Sequence, residues 1–260
     1  MKGLILAAGQ GTRLAELKLK HKSFAVVNKK HVIDYSLDLL WNNGNPVVSE
    51  IVVVVGYNAE SIVEYLGGGV IVADIESAPN KIEAAKGEYK GIPVSFVYQR
   101  ERLGIAHAMK TAIDKLNDDY ILCLADEILF ESKLDMMVEY FHNSKLGALC
   151  GVIIDGEDFS MKPIAYDVEG NRIVIVTEKP GEYHNAIRGV GECVFAKDTL
   201  KYLNELKPNE KRHEYEMGDF IQLLIDNGFV AETYEIAKGY KNINYATDIV
   251  DADAYFAKGE

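Results

Sequence analysis

Cysteine is scarce in this chain. Three residues in 260 are too few, and an odd number, to staple a fold with disulfides, and the count suits a reducing compartment. Long apolar runs are missing too: none approaches the ~18 residues that a membrane span needs. The stretch 4–8 is too short for the apolar segment of a secretory leader and runs straight into glycines. The expectation is a cytoplasmic protein with no membrane partner. Positive charge is also in short supply. With 28 Lys and Arg against 40 Asp and Glu, the formal charge is −12, which speaks against a nucleic-acid binder with its basic footprint. A phosphate ligand here needs local cations or a metal. No internal repeat or low-complexity linker breaks the chain. What remains is 48% apolar and 26% charged, ordinary for a globular protein and too apolar for a disordered one.

Short apolar runs alternate with helical periodicities. Runs at 3–7, 51–55, 94–98, 120–124, 148–153, 173–177 and 191–195 read as buried strands, several apolar at nearly every position. Between them, Ile33, Leu37, Leu40 and Trp41 share a helix face, as do Ile62, Tyr65 and Leu66, then Ala108, Ala112 and Leu116, then Phe220, Leu223 and Leu224. The alternation implies an α/β fold built on a wound sheet. The stretch 67–91 is rich in glycine and mixed charge and reads as a lid, an oligomer contact or a surface excursion.

The first strand opens into Leu6-Ala7-Ala8-Gly9-Gln10-Gly11-Thr12-Arg13-Leu14. Glycines at the carboxyl end of a strand let the backbone approach a ligand, and successive N–H groups can cradle phosphate. Leu14 stands where a dinucleotide fingerprint needs its third glycine, and no Gly-Lys-Ser/Thr follows as in a Walker loop. A tight strand-to-helix turn fits the same glycines. Arg13 offers a fork for terminal phosphates, and Lys22 precedes the apolar run Phe24-Ala25-Val26-Val27.

This loop, its arginine and the lysine nine residues on together resemble the signature of the sugar-phosphate nucleotidyltransferases, the family of glucose-1-phosphate thymidylyltransferase and of the acetylglucosamine-1-phosphate uridylyltransferase domain. The resemblance implies a Rossmann-like nucleotidyltransferase fold with a mixed, mainly parallel central sheet. It implies one domain over 1–260, with nucleotide bound by about 1–155 and an acceptor by about 156–260. Leu6, Ala8, Gly9, Gly11, Thr12 and Arg13 would hold the nucleotide, and Lys22 a phosphate near the reacting centre. The family usually has proline before this lysine, where this chain has His21.

Further landmarks follow in the family's order. Gln99 would read a pyrimidine edge, since an amide offers both donor and acceptor, and the Gly104 backbone would support the same base. Asp126 ends an apolar strand, where a carboxylate would share Mg²⁺ with nucleotide phosphates. Glu178-Lys179-Pro180 resembles the element whose glutamate takes sugar hydroxyls and whose lysine takes the sugar's phosphate, and Gly191 the family's sugar-contacting glycine. Lys162 stands where the family has a glycine and adds a cation on the acceptor side. Asn242 takes the place of the second metal carboxylate, with Asn244 as competitor; a carbonyl oxygen is an adequate hard ligand.

The activity implied is transfer of a nucleotidyl group from UTP or dTTP to a sugar 1-phosphate, with Mg²⁺ as cofactor and Arg13, Lys22 and Asp126 as the catalytic groups. The partners are a nucleoside triphosphate and a small phosphorylated acceptor, without nucleic acid. Members of that family are often dimers or tetramers, so a homo-oligomer is expected by analogy. The alternatives are a cytidylyltransferase acting on a sugar phosphate or a phosphoalcohol such as phosphocholine, a Rossmann dehydrogenase, and a non-catalytic subunit that keeps the nucleotide pocket.

Overall fold

The computed structural model describes residues 1–42, 44–67, 82, 85–154, 164–179 and 187–258. Its contacts fall into two units interleaved along the chain: a first comprising Lys2–Arg102, Cys123–Leu129 and Tyr240–Glu260, and a second comprising Met1, Leu103–Leu122 and Phe130–Gly239.

The first unit is built on β1 (Lys2–Ala7), β2 (Ile51–Val55), β3 (Lys86–Tyr89) and β4 (Ile92–Tyr98). Every residue of β2 is buried, as a strand covered on both faces requires. β1 and β2 pair in parallel from Gly3↔Ile51 to Ala7↔Val55, and β2 and β4 from Ile51↔Val94 to Val55↔Tyr98. β3 runs antiparallel along β4. The equal registers bring Ala7, Val55 and Tyr98 level. The glycine loop, Tyr57 and Gln99 therefore leave the sheet at one edge, its carboxyl edge, where open sheets take ligands. Helix Val32–Leu39 buries Val32, Ile33, Ser36 and Leu37, with Ser36 Oγ donating to the Leu124 carbonyl (2.7 Å). A ribbon of Glu127–Phe130 with Gly239–Asn242 leads into helix Ala246–Lys258.

The second unit contains residues 120–122 of β5 (Tyr120–Leu124), together with β6 (Ala148–Ile153), β7 (Ile164–Glu169), β8 (Arg172–Glu178), β9 (Ile187–Phe195) and β10 (Ala231–Glu235). β9 pairs antiparallel with β5, β7 and β6; β7 and β8 form a hairpin; β8 meets β10 antiparallel; and β10 runs parallel to β6. The path β6-β10-β8-β7-β9 thus closes on itself as a five-stranded, barrel-like ring. Tyr120 stacks on Phe195 at 5.3 Å, and Phe195 meets Phe220 at 5.5 Å in its core.

A mixed sheet with α/β content is what the sequence led us to expect. The expected predominance of parallel strands holds in the first unit alone, and a plain Rossmann-like description does not cover the second. The reason is local: the β7–β8 connection is only Gly170-Asn171, with Gly170 at φ 65°, and parallel neighbours need a long crossover. Among the described residues no helix is long and apolar enough to cross a membrane.

Candidate functional site

The glycine loop is shaped around Lys22. Gly11 sits in the left-handed region (φ 63°), and a Cβ there would lie 2.5 Å from the Lys22 Cβ; at Gly9 it would lie 3.1 Å from the Lys22 Cε. At Gly11 only glycine lets the loop lie on this side chain, whereas at Gly9 the flexible end of the lysine would have to give way. A short 3₁₀ helix, Thr12–Leu17, follows the loop, and a second, Lys22–Phe24, carries the lysine. Lys22 Nζ forms an ion pair with Asp126 Oδ2. Both side chains are only about one-sixth exposed, at 16% and 15%, so losing either would strand the other in poor solvent, at a cost of several kcal/mol for a fully buried pair and less here. A cavity of about 180 Å³ is lined by Gly9, Gly11, Thr12, Arg13, Lys22 and Asn244. Arg13 itself is exposed, its guanidinium 5.5 Å from the centre of the Tyr245 ring. A second cavity, of about 300 Å³, lies along Gln10, Gly11, Lys18, His21, Lys22 and Tyr57. Leu6 and Ala8 contribute backbone: the Leu6 carbonyl accepts from Ala125 N–H (3.1 Å), tying β1 to the segment that carries Asp126.

Beside Asp126, Glu127 is buried and accepts from the Tyr240 hydroxyl (2.6 Å) and from Asn242 Nδ2 (3.2 Å). Asn242 Oδ1 in turn accepts from Asn244 Nδ2 (2.7 Å), and Ile243 N–H donates to the Asp126 carbonyl (2.8 Å). The amide oxygen of Asn242 is thus engaged, while Asn244 is the one of the two that lines the cavity. Among the described residues no group of three or more His, Cys, Asp or Glu side chains could hold a metal. The donors available are the Asp126 carboxylate, already facing a cation, and the amide oxygen of Asn242 or Asn244. Such a sparse, all-oxygen set suits Mg²⁺ held largely through its ligand's own phosphates.

Gln99 is buried at the end of β4, its N–H on the Val55 carbonyl (2.8 Å). Gly104, in the second unit, has φ 103°, and a Cβ there would meet the Tyr215 carbonyl oxygen at 2.5 Å.

The acceptor-side candidates lie in the second unit, in a cluster richer in carboxylates than expected. Glu178 Oε2 accepts the N–H of Gly218 (2.9 Å) at the start of helix Met217–Asp226. Lys179, in the left-handed region at φ 47°, pairs with Glu216 (3.1 Å) and Glu214 (3.4 Å). Arg212 Nε donates to Glu216 Oε1 at 2.6 Å. Burial, and then the charge of Glu216, push the Glu178 carboxyl up to about 8. Burial would raise Glu216 as well, but hydrogen bonds from Arg212 and Lys179 outweigh it and hold that carboxyl below the usual range. Of the two, Glu178 is the one more readily protonated. Glu216 and Arg212 were not found in the sequence: they sit in an irregular stretch and reach Glu178 only through the fold. Gly191 is buried within β9. Lys162 and Pro180 lie outside the described residues.

The chain is 28% identical over 254 residues to a UTP–glucose-1-phosphate uridylyltransferase, AglF, of Haloferax volcanii, covering 97% of this chain and 95% of that one. It is also 28% identical to the low-salt glycan biosynthesis nucleotidyltransferase Agl11 of the same organism, of whose length it spans 65%. Its fold is that of a UDP-glucose pyrophosphorylase solved with UDP-glucose (TM-score 0.79, 19% identity, 100% of this chain and 99% of that one). It also matches an inositol-1-phosphate CTP transferase from T. maritima (TM-score 0.70, 17% identity, 99% and 96%). The sequence pattern described as nucleotidyl transferase matches residues 2–257, nearly the whole length, and the chain belongs to that enzyme family.

Proposed function

We propose that this nucleotidyltransferase joins a pyrimidine nucleoside triphosphate, UTP or dTTP, to a sugar 1-phosphate and releases pyrophosphate. The observation that carries the reading is Lys22 paired with Asp126 under the glycine loop, with Arg13 lining the same cavity. In a chain of charge −12, this sets cations beside backbone that can approach phosphate.

An oxygen of the acceptor phosphate attacks the α-phosphorus, the bond from that phosphorus to the bridging oxygen breaks, and pyrophosphate departs. The attacking oxygen is already ionised, so no side chain has to remove a proton. Positioning and charge neutralisation do the rest. Lys22 steadies the α-phosphate, Arg13 draws the departing pyrophosphate, and Gln99 and Gly104 hold the base. Asp126, with Asn244 or Asn242, would hold Mg²⁺, which when bound supplies further positive charge to the phosphates. Lys179 and Arg212 take the acceptor's phosphate in exchange for Glu216, while Glu178 and Gly191 meet its hydroxyls and Lys162 adds charge nearby. In this division residues up to about 155 serve the nucleotide and later ones the acceptor, except that Asn242 or Asn244 joins Asp126 at the metal.

The 28% identity with the Haloferax enzyme supports UTP and glucose 1-phosphate as the first pair to try. The test is a panel of UTP, dTTP and CTP against glucose 1-phosphate, N-acetylglucosamine 1-phosphate and phosphocholine, with Mg²⁺, scored by pyrophosphate release. Turnover with UTP or dTTP and a sugar phosphate is the expected result. Turnover confined to CTP with phosphocholine would replace this reading with the cytidylyltransferase one, an activity named for a protein that shares this fold. Silence across the panel would overturn both.

A further inference from the structure

His21 stands immediately before Lys22 and is 1% exposed. Its Nδ1 accepts the N–H of Ser23 at 3.2 Å, capping the 3₁₀ turn that carries Lys22. That bond leaves the proton of the neutral ring on Nε2. Nε2 is buried and makes no hydrogen bond of normal geometry. The groups it faces are the backbone of Ala7 and Gly9, the last residue of β1 and the first glycine of the loop. Burial, and then the charge of Lys22, push the ring down to about 4, so it is neutral at physiological pH and the tautomer is held.

A buried donor without a partner is a standing cost in the free protein. Here it faces two carbonyl groups that belong to the loop proposed to grip phosphate. A small inward movement of the loop would supply the missing bond. We infer that His21 is a positioning residue for the nucleotide: its Nε2–H hydrogen-bonds the Ala7–Gly9 backbone when the glycine loop closes on a triphosphate, while its Nδ1 keeps Lys22 in register. Loop closure and the placement of Lys22 are then coupled through one ring. This inference rests on the nucleotide-binding reading above and deepens it.

The two nitrogens can be separated by substitution. Asparagine offers an acceptor at the reach of Nδ1 and no donor at that of Nε2; glutamine offers a donor at the reach of Nε2. The experiment is calorimetric titration of the full chain with UTP, alongside thermal melting, for wild type, His21→Asn and His21→Gln. UTP affinity is expected to fall about tenfold or more in His21→Asn, the scale of one lost hydrogen bond, and to be within about threefold of wild type in His21→Gln. The two variants should melt within a few degrees of each other. In ¹⁵N-labelled wild type, the Nε2–H proton of His21 should move downfield when UTP binds. If wild type binds UTP and His21→Asn binds it as tightly, this inference fails alone. It fails equally if affinity follows melting temperature in both variants, because the ring is then only structural. If wild type binds none of UTP, dTTP or CTP, the nucleotide reading fails and takes this one with it.

Discussion

Two regions of this molecule, each proposed to hold phosphate on an acidic protein, are built by opposite means. Around the glycine loop a single carboxylate, Asp126, faces Lys22, and Arg13 stands clear of any acid that pairs with it among the described residues. Around Glu178 the cations are outnumbered: Lys179 and Arg212 share Glu216, with Glu214 and Glu178 beside them. The first region is open to an anion as it stands. On the proposed reading the second exchanges a carboxylate for a phosphate, so its affinity is a difference between two ion pairs.

The largest effects should separate the regions by substrate. Arg13→Ala and Lys22→Ala are each expected to lower turnover on the order of 10²–10³, by analogy with loss of one oxyanion donor, and to do so for every acceptor. Equal losses from Lys179→Ala in nucleotide affinity would erase the distinction. Gly11→Ala comes next. A Cβ at φ 63° and 2.5 Å from Lys22 adds roughly 1–2 kcal/mol of backbone strain and displaces the lysine; lower melting temperature and a raised KM for UTP should appear together. In the other region, Glu216→Gln should free Lys179 and Arg212, changing KM for the sugar phosphate severalfold while calorimetry shows unchanged UTP affinity.

The smallest effects are in pH dependence, and they run in opposite directions. His21 is held neutral with its pKa lowered to about 4. Below its ordinary value of about 6.5 the unfolded chain binds the extra proton, so stability present above that pH is lost as pH falls toward 4. Glu178 is raised to about 8; its contribution is present below the ordinary carboxyl value near 4.5 and is lost as pH rises through 8. Glutamine mimics the protonated acid, so Glu178→Gln should remove the alkaline loss of stability. His21→Gln should flatten the acid side. Melting curves from pH 4 to 9 read both.

Legibility in the sequence followed the same divide. Gly9, Gly11, Arg13 and Lys22 lie within fourteen residues, and the strand before them fixes which edge they leave, so the resemblance that nominated them could be read from one local segment. The runs at 51–55, 120–124 and 148–153 became strands with those bounds. Strand direction is not carried by apolar runs, which is why the antiparallel ring of the second unit was missed although Gly170-Asn171 marks its hairpin. Ala231–Glu235 alternates buried and part-exposed residues and lacks the continuous run that revealed the others. Glu216 pairs with Lys179, 37 positions away, and Glu127 with Tyr240 and Asn242, more than a hundred away; no local pattern holds such pairs. His21 was visible only as a departure before the lysine, and its two nitrogens acquire meaning from the backbone folded against them.

The central claim is that phosphate chemistry runs at the Lys22–Asp126 pair under the glycine loop. Its most direct test is pyrophosphate release from UTP and glucose 1-phosphate with Mg²⁺, comparing wild type with Asp126→Asn at matched folding. The account expects turnover to fall on the order of 10²–10³, with UTP still bound through the loop and Arg13. Undiminished turnover in the variant would contradict it.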